Sequence, residues 1–383
     1  MRASAWGQAP RNHQRQAGDK KATYPSIRDI DDGGLMSESL LVKSFTRWSA
    51  KEIDPRSHAA FAQAIELIGP DLYSVEERIH EQSNAVDAGI EHYFEYAVGG
   101  SGKRLRPALA LLSGGATGRV VSDHVDLAVI VELIHIASLV HDDIMDGADR
   151  RRDRPTLNAK WGNSLTVLVG DVMFAHALRL STKFSNSEIC RRIADAAADV
   201  CTGEILQTQR RFDLNLPLSE YYRMVQMKTA SLFSVSCELG AYISGASPSV
   251  ISALKNYGTK IGIAYQVLDD CVDLVGDEEM IGKTLGTDLA CGKFTLPVLL
   301  LLQNSTPKER DELQGMLLAE GGIPPAMLLE LVTSKGALPA AVQAARVLVN
   351  EADAELEKVQ KNRHAEALHS MTEYLNGVLD SLC

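Results

Sequence analysis

Two sets of closely spaced aspartates are the residues of this chain best suited to chemistry. In the first aspartate set, Asp142 and Asp146 lie four residues apart and share one helix face, with Asp143 beside them. Like charges at this spacing repel by about 0.2–0.5 kcal/mol even when exposed, and burial adds to that cost. The ligands on offer are oxygens, which suit a hard divalent ion such as Mg²⁺. We therefore expect these aspartates to bind magnesium.

Four arginines follow the first aspartate set almost without interruption, at positions 150, 151, 152 and 154. The planar guanidinium group is well shaped for bidentate contacts with phosphate. A metal-bound phosphate ester is therefore the simplest ligand for this combination. Taken alone, the stretch is also compatible with a surface helix that ends in a solvated cluster of charges.

A second aspartate set repeats the pattern, and two such sets are much rarer than one. Asp269, Asp270 and Asp273 have the same i, i+1, i+4 spacing, and Gln266 precedes Asp269 by one helical turn. If the two helices are antiparallel neighbours, their aspartates can face each other across a cavity. A diphosphate could then enter only with metal ions between the negative charges.

The elements that must position these residues are helices. From about residue 57 onward, apolar residues recur with i, i+3, i+4 spacing, and no credible run of alternating strand residues occurs. We predict an all-α, single-domain bundle over residues 51–383. The predicted helices cover residues 57–69, 72–98, 104–115, 123–146, 163–182, 187–211, 218–244, 249–276, 286–303, 307–319, 325–335, 338–360 and 364–381.

Composition excludes several classes of protein. The 383 residues carry a net charge of −11, which argues against a nucleic-acid partner and against broad adhesion to anionic lipid. Six scattered cysteines without metal-ligand spacing suggest buried thiols in a reducing compartment, so we expect a cytoplasmic protein. No uncharged apolar run approaches the roughly 20 residues of a membrane span, so any membrane contact should be peripheral.

Residues 1–50 do not have the pattern of a core, and we expect them to form a disordered leader or extension. Their excess of basic over acidic residues before position 28 resembles that of an organellar targeting peptide. Alternatively, Met36 is the true start, and the residues before it have no function. Both interpretations stay open, and with them the possibility of import into an organelle.

Six motifs, in this order, resemble those of the trans-polyprenyl diphosphate synthases, the head-to-tail prenyltransferases. The likeness extends from about Tyr96 to Leu300. The motifs are GKRLRP at 102–107, DDIMD at 142–146, RRDRPT at 151–156, KTASLF at 228–233, DDCVD at 269–273 and GKTLGTDLACGKFTLP at 282–297. The resemblance implies a helical bundle of the isoprenoid synthase type with a central active-site cavity. It also implies a homodimer and several Mg²⁺ ions that bridge the substrate diphosphate.

The resemblance further implies a role for each residue that matches a family motif. Isopentenyl diphosphate would be bound by Lys103, Arg106, His135 and Arg152. The allylic prenyl diphosphate would be bound by Arg151, Lys228, Thr229, Gln266 and Lys283, and Lys293 is a further substrate-binding lysine. The implied metal ligands are Asp142, Asp143, Asp146, Asp269 and Asp273. The residues on which catalysis would depend are Asp142, Asp146, Lys228 and Asp269.

The implied reaction condenses isopentenyl diphosphate with an allylic prenyl diphosphate and repeats to lengthen the chain. Preorganised positive charge at the leaving diphosphate promotes ionisation, and the released diphosphate takes the final proton. Ser101 and Asp153 stand where the family usually has glycine. The acid at 153 offsets part of the positive charge of the neighbouring arginines. Membrane contact would serve only to release a greasy product.

The length of the product is expected to depend on residues one turn before Asp142. Ala137 and Ser138 are small, whereas short-chain members of the family tend to have aromatic residues there. The resemblance therefore implies a long-chain product. We expect Val131 and Ile134, deeper on the same helix, to line the tube and Met173 and Phe174, on a neighbouring helix, to form its floor. The alternatives are a farnesyl or geranylgeranyl diphosphate synthase and a non-catalytic prenyl-binding subunit. Such subunits usually lose aspartates, and all six are present here.

Overall fold

The computed structural model describes residues 54–100, 102–151, 154–275, 286–319 and 322–382, and helices dominate these ranges. The first eight are α1 (Pro55–Leu67), α2 (Gly69–Glu81), α3 (Glu91–Val98), α4 (Leu105–Thr117), α5 (Ser122–Met145), α6 (Leu157–Trp161), α7 (Asn163–Ser181) and α8 (Ser187–Gln209). They are followed by α9 (Leu218–Val225), α10 (Ser231–Ile243), α11 (Pro248–Val275), α12 (Thr287–Ala290), α13 (Leu296–Asn304), α14 (Pro307–Leu317), α15 (Pro325–Ser334), α16 (Ala337–Glu355) and α17 (Arg363–Asp380). The predicted all-α fold is confirmed. The predicted leader over residues 1–50 lies outside the described residues.

Helix α5 lies in the core and ends at the first aspartate set. Nearly all of its residues from Val125 to Ala137 are buried, so it is enclosed by apolar neighbours instead of having one wet face. It packs against α2, α4, α7 and α10. By length and composition α5 and α7 could each cross a membrane, but 72% of the most apolar part of α5 is buried inside the protein. Burial in the core accounts for the apolar composition of α5.

Glycines let α11 lie very close to the elements before it. A Cβ at Gly258 would be 2.5 Å from Phe233 O, and a Cβ at Gly262 would be 2.6 Å from Ala230 Cα. Neither distance is tolerable, so these two positions need residues without a side chain. The close approach places Gln266, one turn beyond Gly262, against Thr229.

A short antiparallel hairpin carries part of the predicted phosphate-binding sequence. It consists of β1 (Arg150–Arg151) and β2 (Arg154–Pro155), although the helical pattern predicts no strand there. Tyr96 Oη donates a hydrogen bond to Pro155 O at 2.7 Å, and Arg154 Nη1 donates to Gly99 O at 2.7 Å. These bonds fasten the hairpin to the end of α3.

Three of the predicted helices are interrupted. The helix predicted over 72–98 stops at Glu81, and Asp87 Oδ1 accepts a hydrogen bond from Gly89 N–H at 2.8 Å in a turn before α3. The helix predicted over 218–244 contains a π-helical segment, Gln226–Ala230. The helix predicted over 286–303 is broken at Gly292, whose φ is +74°. The last two interruptions lie at the predicted site.

The cysteines of the described ranges are free thiols. Cys237 and Cys271 are buried, as the sequence predicts. Cys201 is exposed, so the prediction of burial is wrong for that residue, because α8 turns this side toward solvent.

Candidate active site

The first aspartate set lies at the C-terminal end of α5, beside cations that come from distant parts of the chain. Asp146 is 2.7 Å from Lys293 Nζ and 2.9 Å from Arg211 Nη2. Asp142 Oδ2 is 3.7 Å from Lys228 Nζ. The fold therefore brings four of the predicted site residues together and adds an arginine that the sequence analysis did not identify.

Lys228 extends from the π-helical segment between α9 and α10, a rare geometry that is frequent at functional sites. Its Nζ donates to Gln207 Oε1 at 2.8 Å and forms an ion pair with Glu204. A Cβ at Gly203 would lie 2.5 Å from Lys228 N, so a glycine there lets α8 approach the π segment. Burial lowers the pKa of Lys228, but Asp142 and Glu204 together raise it above its ordinary value. The ammonium group is therefore charged at neutral pH.

Asp142 is the most strongly shifted acid of the first aspartate set. Burial raises its pKa to about 6, and the negative charge of Glu204 adds to this effect while Lys228 opposes it. One lysine thus faces the buried carboxylate of Glu204 and the half-buried carboxylate of Asp142. Further cationic charge here would stabilise the ionised form of Asp142.

The second aspartate set surrounds a buried carboxyl group with neutral donors. Tyr221 Oη donates to Asp270 Oδ2 at 2.5 Å, and Gln266 Nε2 donates to Asp270 Oδ1 at 2.9 Å. Burial and the charge of Asp288 raise the pKa of Asp270 to about 8, although both hydrogen bonds lower it. The neutral form of Asp270 therefore predominates at pH 7. Of its two partners in the set, Asp273 is buried and Asp269 is half-buried.

The π-helical segment connects the two aspartate sets. Lys228 lies beside Asp142 of the first set. The next residue, Thr229, donates its hydroxyl hydrogen to Gln266 Oε1 at 2.7 Å, and Gln266 in turn donates to Asp270 of the second set. Two adjacent residues therefore reach the helices that carry the two sets.

A loop before α13 makes a second connection. Gly286 N–H donates to Asp273 O at 3.1 Å, and Lys293 N–H donates to Asp288 O at 2.8 Å. The side chain of Lys293 then reaches Asp146, as described above. The loop thus ties the end of α11 to the end of α5.

The same loop is fixed by an unusual backbone contact. Phe212 N–H donates to Gly292 O at 2.7 Å, and Phe212 has a φ of +63°, which is uncommon for a bulky residue. A Cβ at Gly292 would lie 2.7 Å from the ring of Phe212. This contact keeps Arg211 and Lys293 on either side of Asp146.

A pocket enclosing about 930 Å³ of empty space, partly open to solvent, borders the first aspartate set. We call it the cationic pocket, because the cations Lys103, Arg106 and Arg151 line it. These three residues and His135, which also lines the pocket, are predicted to bind substrate. Asp143 also lines it and accepts a hydrogen bond from Arg151 Nε at 2.8 Å. The pocket and the first aspartate set are therefore contiguous.

Arg106 is a buried cation within this pocket. Its guanidinium carbon lies 4.7 Å from the ring centroid of Phe233, and its Nε has no hydrogen-bond partner among the described residues. Burial lowers the pKa of Arg106, and the negative charge of Glu132 partly offsets that effect. A buried guanidinium with an unused donor is well suited to bind an anion.

The carboxylate oxygens at the two sets have the chemistry of ligands for a hard divalent cation. Among the described residues, however, no three histidine, cysteine, aspartate or glutamate side chains are arranged to hold a metal ion. The carboxylates of the first set point instead at lysines and arginines, and Asp270 points at neutral donors. The assignment of Asp142, Asp143, Asp146, Asp269 and Asp273 as metal ligands stays a prediction.

Two predicted substrate-binding residues, Arg152 and Lys283, lie outside the described residues. Four polar residues in contact with the site were missed by the sequence analysis: Glu204, Gln207, Arg211 and Tyr221. Glu204 and Gln207 lie three residues apart on one face of α8, whereas Arg211 lies in the turn after that helix. The spacing on α8 is a signal that could have identified Glu204 and Gln207.

The residues predicted to set product length lie on α5 and α7, which pack together. Ala137 and Met173 are fully buried, and Ser138 Oγ donates to His135 O at 2.8 Å. The Phe174 ring lies 5.9 Å, between centroids, from that of His141. The small residue at 137 thus lies within the core, one turn before the first aspartate set.

Comparisons with known proteins agree with this fold. The family model described as polyprenyl synthetase matches residues 87–322. Heptaprenyl diphosphate synthase component 2 of Bacillus subtilis (strain 168) is 31% identical over 82% of this chain and 90% of its own length. A short chain isoprenyl diphosphate synthase of Methanothermobacter thermautotrophicus is 34% identical over 78% of this chain and 94% of its own. A crystal structure of polyprenyl synthase from Caulobacter crescentus CB15, complexed with calcium and isoprenyl diphosphate, has a TM-score of 0.77 and 32% identity, covering 83% of this chain and 97% of that one.

Proposed function

The chain belongs to the polyprenyl synthetase family and is a prenyltransferase, and we propose that it condenses isopentenyl diphosphate repeatedly with an allylic prenyl diphosphate to give a long-chain product. One observation carries the proposal. The cationic pocket adjoins the first aspartate set through Asp143 and Arg151, so the two regions to which we assign diphosphate binding lie side by side. A condensation that joins two diphosphate esters requires that arrangement.

In this mechanism the allylic diphosphate lies between the aspartate sets, with Lys228 and Arg151 sharing its charge. The C–O bond of the allylic substrate breaks, and both bonding electrons leave with the diphosphate. The double bond of isopentenyl diphosphate, held in the cationic pocket by Lys103 and Arg106, supplies the electron pair of the new C–C bond. The released diphosphate accepts the proton that restores a double bond, so no protein base is needed.

We propose that Mg²⁺ supplies the missing positive charge. The raised pKa of Asp142, the all-oxygen donor set and the calcium-containing crystal structure of a relative support a divalent cation here. When bound by carboxylates of both aspartate sets, Mg²⁺ would neutralise charge on the leaving diphosphate.

Two observations support the long-chain product. Ala137 and Ser138 are small, and the similarity to the heptaprenyl synthase component covers 82% of the present chain. The short-chain relative keeps a farnesyl or geranylgeranyl product as the alternative, which the measurement of product length decides.

We also propose a homodimer, which the solvent-facing apolar side chains of α7 support. Val167 is 41% exposed and Leu168 is 60% exposed, and these adjacent apolar side chains form a surface that a second copy of the chain could cover. Light scattering should give twice the mass of one chain. A cytoplasmic location is proposed from the free cysteines of the described ranges.

The proposal is tested by incubating the purified protein with isopentenyl diphosphate, an allylic diphosphate and Mg²⁺, and measuring the release of inorganic diphosphate. Release should require both substrates and the metal ion. Asp142→Ala should lower the rate by about a thousandfold, since it removes a carboxylate that serves the leaving group. If the protein binds both substrates but releases no diphosphate, the non-catalytic prenyl-binding alternative replaces the proposal.

A further inference from the structure

Between Lys103 and Arg106, two basic residues of the cationic pocket, lies a third, Arg104, which also borders the pocket but whose guanidinium is bonded to protein carboxylates. It is 5% exposed and its guanidinium is enclosed by two glutamates from separate helices. Its Nη2 donates to Glu76 Oε2 at 3.0 Å, its Nε forms a second bond to Glu76, and its Nη1 donates to Glu132 Oε1 at 2.8 Å. All three nitrogens of the guanidinium are therefore bonded to the protein.

The backbone of Arg104 is also unusual. Its φ of +51° lies in the left-handed region, which few residues other than glycine adopt, and it directly precedes α4. A Cβ at Gly102 would lie 2.4 Å from Arg104 Nη1 and 3.2 Å from Glu132 Oε1. The ion pairs hold a turn that the chain would otherwise avoid, and Gly102 leaves room for the guanidinium.

This turn determines where its neighbours point. Lys103 precedes Arg104, and Arg106 follows it in the first turn of α4; both line the cationic pocket. Glu132 lies three residues before His135 on α5, and His135 lines the same pocket. The Glu76–Arg104–Glu132 cluster thus joins α2, the turn before α4 and the pocket-lining part of α5.

Charge explains why the cluster contains two carboxylates. Arg104 satisfies Glu76 and one oxygen of Glu132, while Glu132 Oε2 has no hydrogen-bond partner among the described residues. The remaining negative charge acts on Arg106, whose burial is otherwise unfavourable for a cation. The cluster therefore offsets part of the electrostatic cost of burying Arg106 and also keeps it in place.

We propose that Arg104 is a positioning residue for isopentenyl diphosphate: clamped between Glu76 and Glu132, it fixes the turn that presents Lys103 and Arg106 to the cationic pocket. This inference rests on the proposed function of that pocket. It gives Arg104, which borders the pocket, a role through its neighbours instead of through contact with the diphosphate, and it makes the cluster specific for one of the two substrates.

The test measures KM separately for isopentenyl diphosphate and for the allylic diphosphate, with thermal unfolding of each variant. Arg104→Gln should raise KM for isopentenyl diphosphate at least about tenfold, which is about 1.4 kcal/mol, and leave KM for the allylic substrate within about twofold. Gly102→Ala, which displaces the guanidinium without removing it, should have the same selective effect. Arg104→Gly, which suits the left-handed backbone but lacks the ion pairs, should not restore the wild-type KM.

The matched control is Arg78→Gln. Arg78 joins the same two helices, α2 and α5, through Asp126 at 2.5 Å, but it is partly exposed and does not line the pocket. This variant should keep both KM values. Equal changes in Arg78→Gln and Arg104→Gln would mean that the cluster only holds α2 on α5, and the proposal would be overturned.

Glu76→Gln distinguishes positioning from direct binding. The glutamine keeps a hydrogen-bond acceptor at this partly exposed position, so the variant can be measured even if Arg104→Gln fails to fold. If Arg104 positions the turn, weakening its clamp raises KM for isopentenyl diphosphate. If Arg104 binds the diphosphate itself, releasing it from Glu76 lowers that KM, which contradicts the proposal. An unchanged KM in both Glu76→Gln and Gly102→Ala would also overturn it. Absence of turnover in the wild-type protein, by contrast, would refute the proposed function and not the role of the cluster in holding the turn.

Discussion

The two aspartate sets share one spacing but have opposite surroundings. In the first, Asp146 has two cationic partners and Asp142 faces Lys228. In the second, Asp270 is buried between the hydroxyl of a tyrosine and the amide of a glutamine. The same sequence pattern therefore gives one site that pairs with positive charge and one buried carboxyl group that orients its neighbours. Spacing in the sequence therefore identifies such aspartates, whereas tertiary contacts determine the function of each.

The largest expected effect is on turnover and follows from a change at Lys228, which contacts the first aspartate set. Lys228→Gln removes the charge between Glu204 and Asp142 and should lower turnover by about a thousandfold, because that charge also serves the leaving diphosphate. Diphosphate release under saturating substrates measures it. Lys335→Gln is the matched control, since Lys335 forms an ion pair with Glu309 at 2.6 Å outside the site and should leave turnover unchanged. Near-normal turnover in Lys228→Gln would contradict the role assigned to Lys228 and the first aspartate set.

A smaller effect is expected in the dependence of kcat/KM on pH, on the acidic limb of the profile. Without a bound metal ion the pKa of Asp142 is raised to about 6, so protons compete with Mg²⁺ for this carboxylate, and kcat/KM measured at a low, fixed Mg²⁺ concentration should fall as the pH drops below that value. Glu204→Gln removes a negative charge that raises this pKa, so the limb should move to lower pH. The readout is the position of the limb, not the height of the plateau. A limb that stays in place in Glu204→Gln would contradict the electrostatic account of the first set.

The smallest effect is on stability and concerns the second set. The folded protein keeps the proton of Asp270 up to a pKa of about 8, whereas an unfolded chain releases it near 3.8. The folded state thus binds more protons between these values, and stability is lost as the pH rises between them. Asp270→Asn should remove that part of the slope. Denaturant unfolding with EDTA at several pH values tests this, and parallel slopes for both proteins would refute it.

The helices and the faces of α5 and α11 could be predicted because periodicity and spacing are local properties of the sequence. The pairing of Lys228 with Asp142, and of Lys293 with Asp146, was not predicted, because these residues are far apart in the chain and the family resemblance implied only that the two lysines bind substrate. The roles of Arg211 and Tyr221 depend wholly on contacts between helices, which no single-sequence pattern encodes. The π-helical segment has no distinguishing composition, so the sequence predicts an ordinary helix there.

The central claim, repeated condensation at two adjoining diphosphate sites, is tested most directly by the length of the product. The purified protein is incubated with labelled isopentenyl diphosphate, an allylic primer and Mg²⁺, and the prenyl chains are separated by chromatography after removal of the diphosphate. The wild-type protein should produce chains longer than geranylgeranyl. Ala137→Tyr should produce shorter chains, because its ring would occupy the core beside the first aspartate set. Products that stop at farnesyl or geranylgeranyl in the wild type, or lengths that do not change in Ala137→Tyr, would contradict it.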